Sequence, residues 1–543
     1  MTGVSWSGSV GYAYDTDFRV AGDLITAPTG TNSMQFGYDS DSLLTCASPT
    51  SCSPVASDAL TLCYRSDVPL VSGTTVGTIS DAFSYNAYGE LASASTRVGP
   101  TLLYSEVLDS QSSPRDMLGR ITLKAETRGT SSQSFAYTYD SQGRLTDVYQ
   151  GVAAVEHFEY DPNGNRLKGS VNGTTRSATY DDQDRLLTYG PYTYSYTPNG
   201  ELFTKTDSET GDVTTYYYDA LGNLLSVEPP DSTLIEYVID GQNRRIGKIV
   251  DGVLSKAWLY KDQLKPIAEL DGSGNLTARF VYGSKTNTPD VILKYNGGVV
   301  TTYRVISDHL GSPVMAVNVN NASDVPFTAE YSAFGERTVT SDAASEDWMP
   351  FGFAGGMYDA DTGLTRFGAR DYDAEVGRWT AKDPIRFDGG INLYAYVGND
   401  PANLMDLTGV APTGSGGASS SGAGGEEGIG NTPDPNQATE DPAYEQCIDR
   451  CMVSQGADIA GDVALVCLPF APTPKTSWEL GKTLGGGSSV TTWASRAAAA
   501  AGLPARNGLR TAGSIAAKAT AVPFAAAGGY WVGSLVACAA SCE

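Results

Sequence analysis

Histidine is almost missing: 543 residues contain only His157 and His309. That excludes metal sites built on paired imidazoles and leaves little for a serine or cysteine relay. The run Ser307-Asp308-His309 does not supply a triad, because neighbours on a strand point to opposite faces; both histidines are read as structural. Positive charge is scarce as well, with 36 Lys and Arg against 62 Asp and Glu and a net charge of −26. A surface that follows a phosphate backbone needs clustered cations, so nucleic acid is not an expected partner. Phosphate loops, dinucleotide fingerprints and metal-ligand pairs are absent, so neither cofactor nor metal is expected. Asp271-Gly272-Ser273-Gly274-Asn275 begins like a calcium loop but lacks the downstream Glu and reads as a hairpin turn. No basic stretch followed by an apolar run comes after Met1. The expectation is therefore a secreted or cell-surface chain exported without a visible signal peptide, or one whose natural start lies upstream.

Tyrosine is what the chain has in excess: 31 Tyr against 15 Phe. Such a ratio implies many half-buried rings whose hydroxyls reach water or a partner, as on two-faced sheets. All but Tyr444 and Tyr530 fall before residue 411, so the composition breaks near 410. Within the first part, Tyr-x-x-x-Gly-x-Leu recurs at Tyr85–Leu91, Tyr139–Leu145, Tyr196–Leu202 and Tyr218–Leu224. Looser copies include Tyr160–Leu167, read with one extra residue, and Tyr180–Leu186, with Asp184 in the glycine place. The period is roughly twenty residues, enough for two strands and their turns. Each unit reads as an aromatic strand, a turn in which Asp or Asn caps and Gly takes positive φ, then a second strand opening on Leu. One hairpin is marginal in water, so the units must pair into a long antiparallel ribbon that curls, closes or splits. A solid sandwich or propeller has the same period-two signal.

These repeats occur with Asp308-His309-Leu310-Gly311-Ser312, Tyr331–Glu336 (YSAFGE), Pro350–Tyr358 (PFGFAGGMY) and the dense block Asp361–Gly409. Together they resemble the RHS/YD-repeat family and its RHS-associated core. The resemblance implies a mainly β fold: a spiralling shell of antiparallel hairpins closed by a core plug, as in bacterial toxin-complex and teneurin shells. The organisation expected is residues 1–80 as irregular opening strands, 81–330 as the repeat shell and 331–410 as the core. Residues 411–442 would form a Gly/Ser-rich linker, and 443–543 a variable, helical, Cys-containing region.

The core carries the candidate chemistry. Acidic residues sit on two stretches, Arg370-Asp371-Tyr372-Asp373 and Asp383-Pro384, joined through Gly377, so that folding back brings Asp371 near Asp383. Two close carboxylates do not both ionise easily, and one then serves as acid while its partner activates water. Arg370 would hold a carboxylate ionised or polarise a carbonyl. The resemblance supports the same three residues, because toxin-complex shells use an Arg-Asp pair and a second Asp twelve residues on as an intramolecular aspartyl protease. Asp373 is an alternative to Asp371, and Asp in such sequences also simply caps turns. The resemblance places the cut between Val410 and Ala411, after a segment in which Leu407 stands where Pro is usual and Val410 where Leu is usual.

Beyond the linker, Cys447 and Cys451, like Cys538 and Cys542, are four apart. They fall on one helical face and are candidates to cross-link neighbouring helices. Together with Cys46, Cys52, Cys63 and Cys467 they fit an exported chain better than a cytosolic one. Residues 519–542 carry no charge, a length that spans a bilayer or packs as a close helical hairpin, so membrane contact of the tail is one expectation. The tail shows no nuclease, deaminase or ADP-ribosylating motif. Three functions fit: a shell that encloses and releases its own C-terminal segment as a toxin, with an immunity protein and secretion components as partners; a cell-surface adhesion or carbohydrate-contact protein; or an inactive truncated remnant.

Overall fold

The computed structural model describes residues 8–414 except 29, 113 and 342–345. Thirty of the described strands, from Ser9–Tyr14 to Arg337–Val339, form one antiparallel sheet in which each strand pairs with its neighbours in sequence. The meander is the ribbon that the repeat demands.

The turn chemistry explains the consensus residue by residue. In the unit at Tyr139, Asp140 Oδ1 accepts the N–H groups of Gln142 (2.9 Å) and Arg144 (3.0 Å), and Oδ2 accepts Arg144 Nε (2.7 Å). Gly143 holds φ 86° at the corner, where a side chain would be strained. The Arg144 guanidinium then lies 4.9 Å from the ring of Tyr160, the tyrosine of the next unit. The Tyr160 hydroxyl reaches back to the carbonyl of Leu145 at 2.7 Å. That last bond recurs from Tyr139 to Ile121, Tyr180 to Arg166, Tyr260 to Arg245 and Tyr331 to Pro313. It is the physical reason for tyrosine over phenylalanine: each hydroxyl satisfies a carbonyl one hairpin back that the bulged ladder leaves open.

Three expectations need correction. Residues 9–85 are not irregular; they form seven ordinary strands continuous with the rest. Their turns escaped the pattern because Phe18 (φ 61°) and Ser42 (φ 65°) occupy the corner that glycine fills elsewhere, while Asp15 and Asp39 cap as usual. Tyr160–Leu167 contains no insertion. Its turn is of standard length, from Asp161 to Asn165, and Arg166 takes the buried place of Leu, turned toward the core where it donates to Glu375 O (3.0 Å). Finally, the start of the expected linker at 411 is tied down: Thr413–Gly414 pairs with Leu404–Met405.

The ribbon winds back upon itself. Asp23 meets Arg279, Asn32 Nδ2 donates to Tyr295 Oη at 2.7 Å, and Arg304 Nη2 lies 2.7 Å from Asp81. Buried residues from Met34 to Tyr104 share one hydrophobic cluster with Val281 to Val319. Within the stretch expected as the core, a four-stranded sheet (Met357–Tyr358, Leu364–Phe367, Arg370–Asp373, Arg378–Trp379) surrounds a cluster of Phe353, Phe367, Tyr372, Trp379 and Tyr396. Tyr372 and Tyr396 meet at a tilt of 40° with centroids 4.5 Å apart. The core is locked to the ribbon by buried polar side chains: Lys248 to Asp359 (2.6 Å), Arg366 to Asn223 (2.8 Å) and Arg378 to Asn165 (3.0 Å).

Candidate functional site

The strand Arg370–Asp373 lies between Leu364–Phe367 and Arg378–Trp379, and strand alternation sends Arg370 and Asp371 to opposite faces. Asp371 faces the ribbon. It is 1% exposed and bridges two buried cations, Arg245 Nη2 at 2.8 Å and Arg366 Nη1 at 2.9 Å. Asp373 follows it by two and caps the next turn, accepting Glu375 N–H at 3.0 Å. The expected approach of Asp371 to Asp383 therefore does not occur, because the pleat that aims Arg370 at Asp383 turns Asp371 away.

Arg370 is the hub of the other face. Its Nη2 lies 2.8 Å from Asp383 Oδ2 and 3.4 Å from Asp406 Oδ2, its Nε donates to Gly409 O, and its guanidinium sits 4.2 Å from the Trp379 ring centroid. All three charged groups are buried. The terminal segment is threaded through this point. Leu404–Met405 and Thr413–Gly414 pair as the legs of a hairpin whose loop holds the expected cut. Asp406 Oδ1 accepts Thr408 Oγ1 (3.1 Å), Val410 N–H (3.1 Å) and Ala411 N–H (3.2 Å). Ala369 N–H holds Thr408 O at 2.8 Å. The loop presses so closely on the strand that a Cβ on Gly409 (φ 69°) would collide with the Phe367 carbonyl.

Gly389 completes the arrangement. A Cβ there would lie 2.5 Å from Asp383 Oδ2 and 3.2 Å from the Val410 carbonyl oxygen, so carboxylate and carbonyl share the space that this glycine leaves. Burial pushes the Asp383 carboxyl above the usual carboxylate range; Arg370 and the Ile385 N–H oppose the shift and the Asp406 charge adds to it. Asp406 and Gly389 did not stand out in the sequence. The available signal was that Asp406 precedes the expected cut by four residues, the same Asp-to-(i+4) N–H spacing that caps the repeat turns at Asp116, Asp140, Asp181, Asp219 and Asp240.

His309 is buried in the fold and His157 pairs with carboxylates at the surface. His309 Nε2 lies 2.9 Å from Ala402 O and Nδ1 3.4 Å from buried Glu106, while His157 sits at the surface between Asp147 and Glu159. Asp271 caps its hairpin turn through Ser273 and Asn275 N–H, as read from sequence. Among the described residues no group of three His, Cys, Asp or Glu is arranged to hold a metal, and no helix is long and apolar enough to cross a membrane. Cys46 and Cys52 form a disulfide. Cys447, Cys451, Cys538 and Cys542, the helical tail, most of the linker and the uncharged 519–542 stretch lie outside the described residues.

A family model described as Teneurin YD-shell matches residues 12–402. Teneurin-3 of Mus musculus is 26% identical over 355 residues, covering 62% of this chain and 12% of the mouse protein. Double-stranded DNA deaminase toxin A of Burkholderia cenocepacia (strain H111) is 27% identical over 369 residues, covering 63% of this chain and 23% of the toxin. The tRNA nuclease WapA of Bacillus subtilis (strain 168) is 26% identical over 291 residues, covering 50% and 12%. The chain thus spans under a quarter of the length of each of these relatives. The crystal structure of TcdB2-TccC3-TEV superposes with a TM-score of 0.53 at 16% identity, over 74% of this chain and 21% of that one, a likeness of fold.

Proposed function

The chain belongs to the Teneurin YD-shell family, and from that premise we propose that it is a shell that carries the segment after residue 410 as cargo and severs it through its own core. One observation carries the reading: Arg370, Asp383 and Asp406, three buried charges from separate stretches, form one ion-paired cluster on the terminal segment, Arg370 holding the Gly409 carbonyl and Asp406 the N–H groups of Val410 and Ala411. A buried, ion-paired cluster costs desolvation energy that turn capping alone does not require. Asp383 borders the same Gly389 space as the Val410 carbonyl, and a carboxyl there would serve as the acid for amide hydrolysis, with Arg370 fixing its orientation. The departures at the terminal segment are accommodated. Leu407, in place of Pro, packs against the aromatic cluster, and Val410 is half-buried beside Gly389.

Relatives named as a DNA deaminase toxin and a tRNA nuclease favour a toxic cargo, and the Cys46–Cys52 disulfide fits an oxidising destination outside the cytosol. An immunity protein and a secretion route belong to the same reading. The test uses the full chain. Under denaturing conditions it should resolve into two polypeptides that co-elute natively in gel filtration, with the smaller resisting added protease until the shell is unfolded. A smaller polypeptide that elutes alone or is digested at once speaks against carriage.

A further inference from the structure

We propose that the outer face of the ribbon carries a docking groove for an extended strand of a partner polypeptide, one with apolar residues at every second position, which adds to the free edge of the strand Ser9–Tyr14 and lies over Ile246 and Leu225. The inference is independent of the self-cleavage reading.

In each repeat unit the second strand bulges just after its first residue. The first residue points inward, as Leu186, Leu202 and Leu224 do, and the extra residue points outward. Leu167, Leu187, Phe203, Leu225, Ile246 and Ile267 take this outward place in successive hairpins, and Val314 takes it further on. They make one apolar row across the sheet, with a member about every 10 Å, two strand separations. Part of the row is covered by the first strands of the chain, wound back over the later ones. There it is true core: Ile267 is 3% exposed in a cluster with Ile25 and Ala27, and Val314 is 2% exposed in a cluster with Leu60, Leu62 and Ile79. Past the edge of that covering layer the row continues bare, with Leu225, Phe203, Leu187 and Leu167 at 37%, 40%, 40% and 41% exposure.

The covering layer ends at Ser9–Tyr14. This strand pairs with Val20–Ala27, and no strand of the described residues meets its other edge. Alternate N–H and C=O groups along that edge are therefore open to a further strand. Sheet edges are ordinarily guarded by charge or proline, yet Ser9-Val10-Gly11-Tyr12-Ala13-Tyr14 contains neither. Beside the edge runs a groove of about 700 Å³, bordered by Val10 and Tyr12 and by Arg244, Ile246 and Tyr260. The Tyr12 hydroxyl, donating to Lys261 O at 3.1 Å, ties its two sides together. Half-buried Ile246, the next member of the row, lines this groove. The fold itself shows what fits: Val20–Ala27 buries Ile25 and Ala27 in the cluster that holds Ile267 and leaves Leu24 and Thr26 outside. Another strand of the same alternation, next in the same layer, would meet Ile246 and then Leu225 in the same way. It gains main-chain bonds from the edge and apolar contact from the row, the mode of strand addition. Polar neighbours of the row offer little resistance, because Thr179 and Thr188 (2.7 Å) and Ser195 and Thr204 (2.6 Å) already bond each other.

The probe is a synthetic, fluorescently labelled peptide copying residues 20–38, the two strands that lie next to Ser9–Tyr14 in the covering layer. It is titrated into the full-length protein by anisotropy, and hydrogen exchange is followed over Ser9–Tyr14. Saturable binding with slowed exchange at Ser9–Tyr14 is the expected result. Ile246→Lys and Leu225→Lys set a charge against the incoming apolar face and should each weaken binding by about tenfold or more, while Val152→Lys, at an exposed hairpin tip, should leave it unchanged. Thermal unfolding checks each variant, and the more exposed Leu225 keeps the comparison decisive if Ile246→Lys does not fold. A peptide of the same residues in shuffled order should bind no better than the lysine variants do to the native one. Absence of saturable binding, equal binding by the shuffled peptide or by the folded lysine variants, or unchanged exchange at Ser9–Tyr14 overturns the proposal.

Discussion

Gly389→Ala is the most exacting perturbation of the site, because it adds one carbon and touches no charge. The new methyl would stand 2.5 Å from Asp383 Oδ2 and 3.2 Å from the Val410 carbonyl oxygen, against an ordinary contact of 3.4 Å or more. One of the two oxygens has to retreat by close to an ångström, and a shift of that size at a reacting pair costs on the order of 10²-fold in rate. The backbone offers no competing explanation. Gly389 lies outside the left-handed region that disfavours side chains, so alanine does not strain its backbone and the collision with Asp383 is the only cost. The assay is a time course of fragment appearance after cell-free synthesis, with thermal unfolding of the product alongside. Slow release from a fully folded variant is the expected result. Release at the wild-type rate would mean that Asp383 and the Val410 carbonyl need not meet over this glycine, and the assignment of the acid would fail.

The remaining predictions concern the scaffold. Tyr160→Phe deletes the hydroxyl that satisfies the Leu145 carbonyl and should lower stability by about 1–3 kcal/mol in urea unfolding, whereas the surface Tyr88→Phe should be neutral. Asp371→Asn leaves Arg245 and Arg366 short of a buried counter-charge and should destabilise by about 3–5 kcal/mol in urea unfolding. Glu156 is pushed up to about 7 by burial, so it favours the folded state below the unfolded carboxylate range and loses that contribution as pH rises through 7. Glu156→Gln, which keeps an acceptor for Ala333 N–H, should therefore melt higher than wild type at pH 8 and no higher at pH 4.5. Equal melting shifts at both pH values would remove Glu156 as the source of the dependence.

What sequence could and could not reveal follows from range. The Tyr-Asp-x-x-Gly-Arg unit is local: capping, corner and stacking residues all lie within one hairpin of each other, so the ribbon from Tyr85 onward is visible in the repeat alone. Phe18 and Ser42 hid two units because a positive φ leaves no mark when a non-glycine residue adopts it. Arg166 hid a third, since an arginine turned inward toward Glu375 reads as a surface residue until its distant partner is known. The candidate site is legible only in part for the same reason. Arg370 and Asp383 form a buried ion pair, whereas Asp371, expected near Asp383 by folding back, lies on the opposite face of its strand with Arg245 and Arg366. Asp406 became visible only when the fold brought a segment from 36 residues away back onto Arg370.

The intact mass of the purified full-length protein, with the N-terminal sequence of any fragment, tests the central claim most directly. Two polypeptides are expected, the smaller beginning Ala-Pro-Thr-Gly at Ala411. A single chain of 57.1 kDa, or a fragment beginning anywhere else, would contradict it.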